Sequence, residues 1–179
     1  MNANEVIKPA VVLLIIAGVA AAALGAVQSI TAEPIKMQEE QTRAASMKAV
    51  MPDASSFEQI ENVELSGSVT AVYKADNGGF VITAAPGGFS GAVDTMVGID
   101  ADGIITGLRV TKHSETPGLG AKSTDPSFYE QFAGMSGDLA VTKDGGEVVP
   151  ITSATITSRA VTSGANDALQ WFTANGGAY

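Results

Sequence analysis

The densest chemistry in this 179-residue sequence lies between Thr152 and Arg159, reading Thr-Ser-Ala-Thr-Ile-Thr-Ser-Arg, where five hydroxyl side chains occupy eight positions. Pro150 stands just before this stretch, and an apolar-periodic segment follows it. Val161, Ala165, Ala168, Leu169 and Phe172 recur at the spacing that lines one face of a helix. Hydroxyls at a helix start have two uses. They cap, by accepting bonds from the free N–H groups of the first turn, or one of them carries a phosphate, because the positive end of a helix favours an anion. A cap needs only one hydroxyl, so both uses stay open.

A second stretch, His113 to Lys122, reads His-Ser-Glu-Thr-Pro-Gly-Leu-Gly-Ala-Lys. Pro117-Gly118 predicts a type II turn, with proline fixing the first central residue and glycine taking the positive φ of the second. Gly118 and Gly120 lack side chains, so the backbone here could approach a flat ligand and offer it N–H groups; an ordinary tight turn has the same composition. Glu115 and His113 suggest acid–base chemistry. No nucleophile or second carboxylate stands at a telling spacing to complete a catalytic set, and His113 reads as structural or solvated.

Thr152 to Thr157 resembles the flavinylation motif of the FMN-binding domain family: Ser or Asp, Gly, Ala, Ser or Thr, any residue, then Thr or Ser. Thr152 stands where Ser or Asp is usual, and Ser153 where Gly is usual, a position at which glycine serves a backbone conformation that serine adopts less easily. Glu115-Thr116-Pro117-Gly118-Leu119-Gly120 resembles the other signature of the family, in the family's order and ahead of the first. With an apolar segment in front, the chain is similar to the G subunits of Rnf electron-transport complexes, with the C subunits of sodium-pumping NADH:quinone oxidoreductases as relatives. The resemblance covers most of the chain from about Val6. It implies an FMN joined by a phosphoester to Thr157, within a site that includes Ser153, Ala154, Thr155 and Glu115 to Gly120. It also implies a flavin transferase that installs the group from FAD, and partners among the other subunits of the membrane complex. The chain would then be an electron carrier inside a translocating oxidoreductase, without independent catalysis.

Composition restricts the alternatives. A net charge of −9, from 19 acidic and 10 basic residues, opposes a nucleic-acid partner. The absence of cysteine excludes disulfides, thiolate-bound iron–sulfur clusters, lipoprotein attachment and thiol nucleophiles. One histidine leaves no room for a His-rich metal site or a bis-histidine haem. An electron carrier built from this chain therefore needs an organic group.

The elements that must position these residues follow from pattern. Pro9 to Ala32 carries no charged side chain. As a helix these 24 or so residues span about 36 Å, enough for a hydrocarbon core of about 30 Å. Read as an anchor rather than a cleaved signal peptide, the segment has Lys8 and the terminal amine on its short side, which places the domain outside. Residues 1–32 are thus expected as a transmembrane anchor, 33–52 as a solvated helical stalk closed by Pro52, and 53–179 as an extracytoplasmic FMN-binding domain. In that domain Val69, Ala71 and Tyr73 alternate with polar neighbours, and Asn77-Gly78-Gly79 turns the chain into a strand at Phe80-Val81-Ile82. Pro86 to Gly91 reads as a connection into a sheet. Ala92–Ile99 and Ile104–Val110 form a hairpin around Asp100-Ala101-Asp102-Gly103, whose acids serve turn geometry. Ser127 to Met135 reads as a short helix bringing aromatics to the core, and the last helix ends at Asn175-Gly176-Gly177. The expected fold class is α+β, an antiparallel-rich sheet with flanking helices. Other functions to weigh are the C-type quinone-reducing relative, a non-redox membrane-anchored interaction module, and a free-standing extracellular flavoprotein reductase.

Overall fold

The computed structural model describes residues 3–179, with side chains from Ile7 onward. The chain divides into two compact units, Met1–Thr42 and Arg43–Tyr179. The first unit is helical over its described residues and belongs to α1, Ala3–Val50, which runs on through Pro9 and Pro34. Its most apolar 18-residue window has a mean hydropathy of 2.7 and no buried residue. Leu13, Leu14, Ile16, Val19 and Leu24 are all exposed. A helix that is apolar on every side and covered by nothing of its own chain is one that a bilayer would cover.

The second unit opens with the last two turns of α1. Five strands follow, β1 (Phe57–Gln59), β2 (Val69–Ala75), β3 (Phe80–Ala84), β4 (Val93–Ile99) and β5 (Ile105–His113), in one sheet of order β1-β2-β3-β4-β5. Every pairing is antiparallel, and the β4–β5 pair is the expected hairpin, extended to His113. Asp100 Oδ1 accepts the N–H groups of Asp102 (3.0 Å) and Ile104 (2.9 Å), so the acidic turn is built as its composition predicts.

Both faces of the sheet are buried. Successive strand residues point to opposite faces. Val72, Ile82 and Val97 accordingly pack in one cluster with Val161, Ala165, Ala168, Leu169 and Trp171 of α3 (Thr155–Asn175). Their chain neighbours Tyr73, Val81 and Met96 pack in another with Met47, Val50 and Met51. Runs such as Phe80-Val81-Ile82 are therefore continuously apolar, because a half-solvated strand would alternate. The stalk was expected to be solvated, and its last turn is not: Met47 and Val50 are core residues. Helix α1 stops at Val50, two residues before Pro52. Lys48 Nζ then donates to Pro52 O (2.8 Å) and Ala54 O (2.6 Å), binding carbonyls just past the helix end.

The region expected as one helix over Ser127 to Met135 is shorter and broken. Helix α2 covers Pro126–Tyr129, a 3-10 turn covers Glu130–Phe132, and Ala133 is extended. Gly134 at φ +83° turns the chain so that Ile105 N–H can bond Met135 O at 2.9 Å. The aromatics still reach the core, with Phe128 and Phe132 packed edge to face at 5.7 Å. Trp171 is fully buried and donates Nε1–H to Glu64 O at 2.9 Å, fixing the far end of α3 on the sheet.

Gly98 of β4 lies where the end of α1 presses on the sheet. A Cβ there would strike Val50 O and lie 2.5 Å from Thr106 Oγ1, the hydroxyl that itself donates to Val50 O at 2.6 Å. The carbonyl is backbone and cannot swing away. Gly98→Ala is expected to destabilise the domain by about 1–3 kcal/mol, read as a lowered unfolding temperature of the full chain in detergent. An unchanged melt would show that α1 does not seat on β4 in this way.

Candidate functional site

The hydroxyl-rich stretch adopts an unusual entry to α3. Ser153 sits at φ +64°, a left-handed conformation that costs a non-glycine residue roughly 1–2 kcal/mol. Ala154 then holds the N-cap position, and no side chain caps the helix. The capping reading fails: none of the five hydroxyls serves as the helix cap. Ser158 N–H is the first to bond back along the helix, to Ala154 O at 3.0 Å. The N–H groups of Thr155, Ile156 and Thr157 before it have no intrahelical acceptor by geometry, and they leave a positive helix end.

The hydroxyls have separate roles. Ser158 Oγ accepts Ile151 N–H (2.9 Å) and donates to Ala154 O (3.0 Å), bracing the turn. Thr155 Oγ1 accepts a bond from Lys143 Nζ at 2.8 Å. Arg159 forms a two-pronged pair with Asp144, 2.7 Å in each bond, next to Lys143 in the chain. Thr157 alone among the hydroxyls donates to a carboxylate, Glu115 Oε2, at 2.6 Å. Thr157 is 1% exposed and Glu115 5%.

Strand β5 and the turn after it deliver Glu115. Its backbone N–H donates to His113 Nδ1 (3.1 Å), a structural use of that ring. Oε1 accepts Ser90 N–H at 2.9 Å. Gly118 takes φ +76° and Leu119 N–H bonds Thr116 O at 3.2 Å, the turn that Pro117-Gly118 predicts. Gly120 also leaves room beside Glu115 and Thr157. A Cβ there would strike Glu115 Oε2 and lie 2.6 Å from Thr157 Oγ1, and a Cβ on Gly88 would lie 2.6 Å from Glu115 Oε1. The two glycines clear the space in which carboxylate and hydroxyl meet.

Both signatures line one cavity of about 300 Å³: Glu115, Thr116, Leu119 and Gly120 from the first, Ser153 to Thr157 from the second, and Phe89. Pro117 and Gly118 shape the turn but are not in the wall. Phe89 and Ile156 were not foreseen. Phe89 is 69% exposed, Ile156 50% and Leu119 42%, so three large apolar side chains stand open around this one hollow. The only signal for Phe89 was a large aromatic in a glycine loop where no core needs it. Lys143 was also missed, since nothing in its spacing ties it to Thr155.

These residues fit a phosphorylated flat cofactor. An uncapped helix start and the Lys143 ammonium suit a phosphate. The apolar trio suits a ring system, and the volume is at the lower end of small-molecule sites, about 300–1,000 Å³. Burial pushes the Glu115 carboxyl up, but the Thr157 hydroxyl and the N–H groups of Ser90 and Phe89 outweigh it, helped by His113. The net effect holds Glu115 below the ordinary carboxylate range. It is therefore ionised at neutral pH.

Strain and charge at the site are both measurable. Ser153→Gly relieves the left-handed strain and is expected to raise stability by about 0.5–1 kcal/mol, seen as a higher denaturant midpoint; a lower midpoint would contradict the strained entry. Because the folded pKa of Glu115 lies below its unfolded value, its contribution is present above the unfolded pKa, about 4.3, and is lost as pH falls through the folded one. Unfolding of the full chain between pH 6 and 3 should therefore be less acid-sensitive in Glu115→Gln than in wild type, and parallel curves would contradict the bonded carboxylate.

Comparison with known proteins gives the family. Residues 88–170 match the family described as FMN-binding domain, and residues 1–50 match the RnfG N-terminal region. The G subunit of the ion-translocating oxidoreductase complex of Methanosarcina acetivorans is 34% identical, over 98% of this chain and 99% of that protein. The G subunit of the Na(+)-translocating ferredoxin:NAD(+) oxidoreductase complex of Acetobacterium woodii is 37% identical, over 92% and 90%. Among solved structures, the C subunit of the Na(+)-translocating NADH-quinone reductase from Parabacteroides distasonis shares the fold, with a TM-score of 0.52 and 23% identity over 67% of this chain and 76% of that one. An apolar N-terminal helix, a double-signature cavity and relatives matched along nearly their whole length place this chain in the FMN-binding domain family, among the G subunits of ion-translocating oxidoreductase complexes.

Proposed function

We propose that this chain is the flavin-carrying G subunit of an Rnf-type ferredoxin:NAD oxidoreductase coupled to ion transport, with FMN joined by a phosphoester to Thr157. One observation carries the reading. The two signatures converge on one cavity, where the Thr157 hydroxyl alone in its motif donates to a carboxylate, that of Glu115, 42 residues earlier in the chain. FMN supplies electron transfer at its isoalloxazine ring.

The protein's part is to bind and to tune. The N–H groups of Thr155 to Thr157 and the Lys143 ammonium would offset the phosphodiester charge. Phe89, Leu119 and Ile156 would cover the ring and exclude water from one side. N–H groups of the turn after Glu115 would favour negative charge on the reduced ring. A covalent link far from the ring retains the cofactor and leaves its chemistry intact. Residues 1–32 would anchor the domain, 33–52 form the stalk and 53–179 the flavin domain, on the extracytoplasmic side with Lys8 inside. Partners would be the other subunits of the complex and a flavin transferase using FAD. The C-type alternative is supported by fold likeness alone, whereas the G-type relatives align along nearly their whole length.

Intact mass of the chain co-expressed with a flavin transferase tests the attachment. Wild type should gain one FMN phosphoester equivalent and Thr157→Ala none. If neither gains it while the transferase modifies a control acceptor, the carrier reading falls.

A further inference from the structure

A hydroxyl as weakly acidic as threonine's does not attack phosphorus unaided. The arrangement around Thr157 has the parts of an activated nucleophile: a hydroxyl, a carboxylate 2.6 Å away and a group that orients the carboxylate, here Ser90 N–H at 2.9 Å on the other oxygen. The nucleophile that the sequence spacing left missing beside Glu115 is Thr157.

Resting on the proposed flavin-carrier function, we propose that Glu115 is the general base for this chain's own flavinylation, taking the Thr157 hydroxyl proton as the oxygen attacks the FMN-side phosphorus of a flavin dinucleotide. The Oγ–P bond forms and the bridging P–O bond of the pyrophosphate breaks. AMP departs with the electron pair of that bond, and the proton passes to Glu115 Oε2 and then to solvent. Nothing is oxidised or reduced. The step divides the work: the transferase delivers and activates the dinucleotide, and the acceptor protein brings its own base.

Three features of the site separate this from a mere structural bond. Glu115 carries both oxygens in use, one held by backbone and one aimed at the nucleophile. Gly88 and Gly120 are both places where any side chain would intrude on the carboxylate, and Gly120 would also intrude on the Thr157 oxygen. The other buried hydroxyl of the stretch, Ser158, spends its proton on a helix carbonyl and so has no base. Thr155 faces a lysine ammonium, which cannot accept a proton. The choice of Thr157 over its neighbours then follows from where the carboxylate stands.

The test uses the full chain purified in detergent without flavin, mixed with FAD and a flavin transferase, and follows covalent attachment by in-gel flavin fluorescence and intact mass. Glu115→Gln should slow the initial rate by about 100-fold or more, with Glu115→Asp falling between it and wild type. In Glu115→Ala, added formate should restore part of the lost rate in a concentration-dependent way, which a merely structural role would not allow. Circular dichroism melts of each variant accompany the rates, and Glu115→Asp keeps the test alive if Gln or Ala does not fold. Attachment to Glu115→Gln at the wild-type rate, or a slow Glu115→Ala that formate does not accelerate, overturns the proposal and leaves the flavin-carrier reading standing. Failure of wild type itself to take up flavin, with a control acceptor modified in the same mixture, overturns both.

Discussion

The hydrogen bond from Thr157 to Glu115 is the contact on which the rest of this domain converges. It joins the turn after β5 to the start of α3, and each side depends on structure further away. Glu115 is where it is because the β4–β5 hairpin is seated between two buried clusters. Thr157 is where it is because α3 is fixed at its far end by Trp171 on Glu64 and at its near end by Asp144 with Arg159 and by Ser158 with Ile151. Two glycines leave the gap in which the pair meets. A sheet covered on both faces is what makes such a small contact reproducible, since neither element can shift without repacking a core.

Legibility varied with the range of the interaction. The helix face of α3, the hairpin at Asp100 and the Pro117-Gly118 turn depend on neighbours a few residues apart, and each stood in the sequence. The second buried face of the sheet did not, because Tyr73, Val81 and Met96 are covered by the end of a helix that reads as polar stalk. Ser127 to Met135 looked like one helix because its aromatics are well spaced; the extended Ala133 and Gly134's φ of +83° break it so that Met135 can bond Ile105.

The site was half legible. Both signatures could be found, and the Ser153 position could be named as one suited to glycine, in keeping with its left-handed backbone. Capping was a fair expectation for hydroxyls at a helix start, and it failed because Thr155, Thr157 and Ser158 each have another local partner: a lysine, a carboxylate and a carbonyl. That Glu115 and Thr157 form a pair was invisible, since their 42-residue separation has no periodicity that would announce contact. Phe89 was hidden in the same way, as a loop residue that only the folded chain brings to the cavity wall.

Five hydroxyls within eight residues make the attachment point the central claim, and the sequence offers a direct reading of it. Trypsin should release Asp144–Arg159 as one peptide, because no lysine or arginine lies between Lys143 and Arg159, and this peptide holds Thr152, Ser153, Thr155, Thr157 and Ser158 together. Fragment-ion mass spectrometry of that peptide from the flavinylated native protein assigns the phosphoester to one of them. The account predicts Thr157 alone. A flavin on Thr155, Ser158 or either exposed hydroxyl would show that the carboxylate does not choose the acceptor.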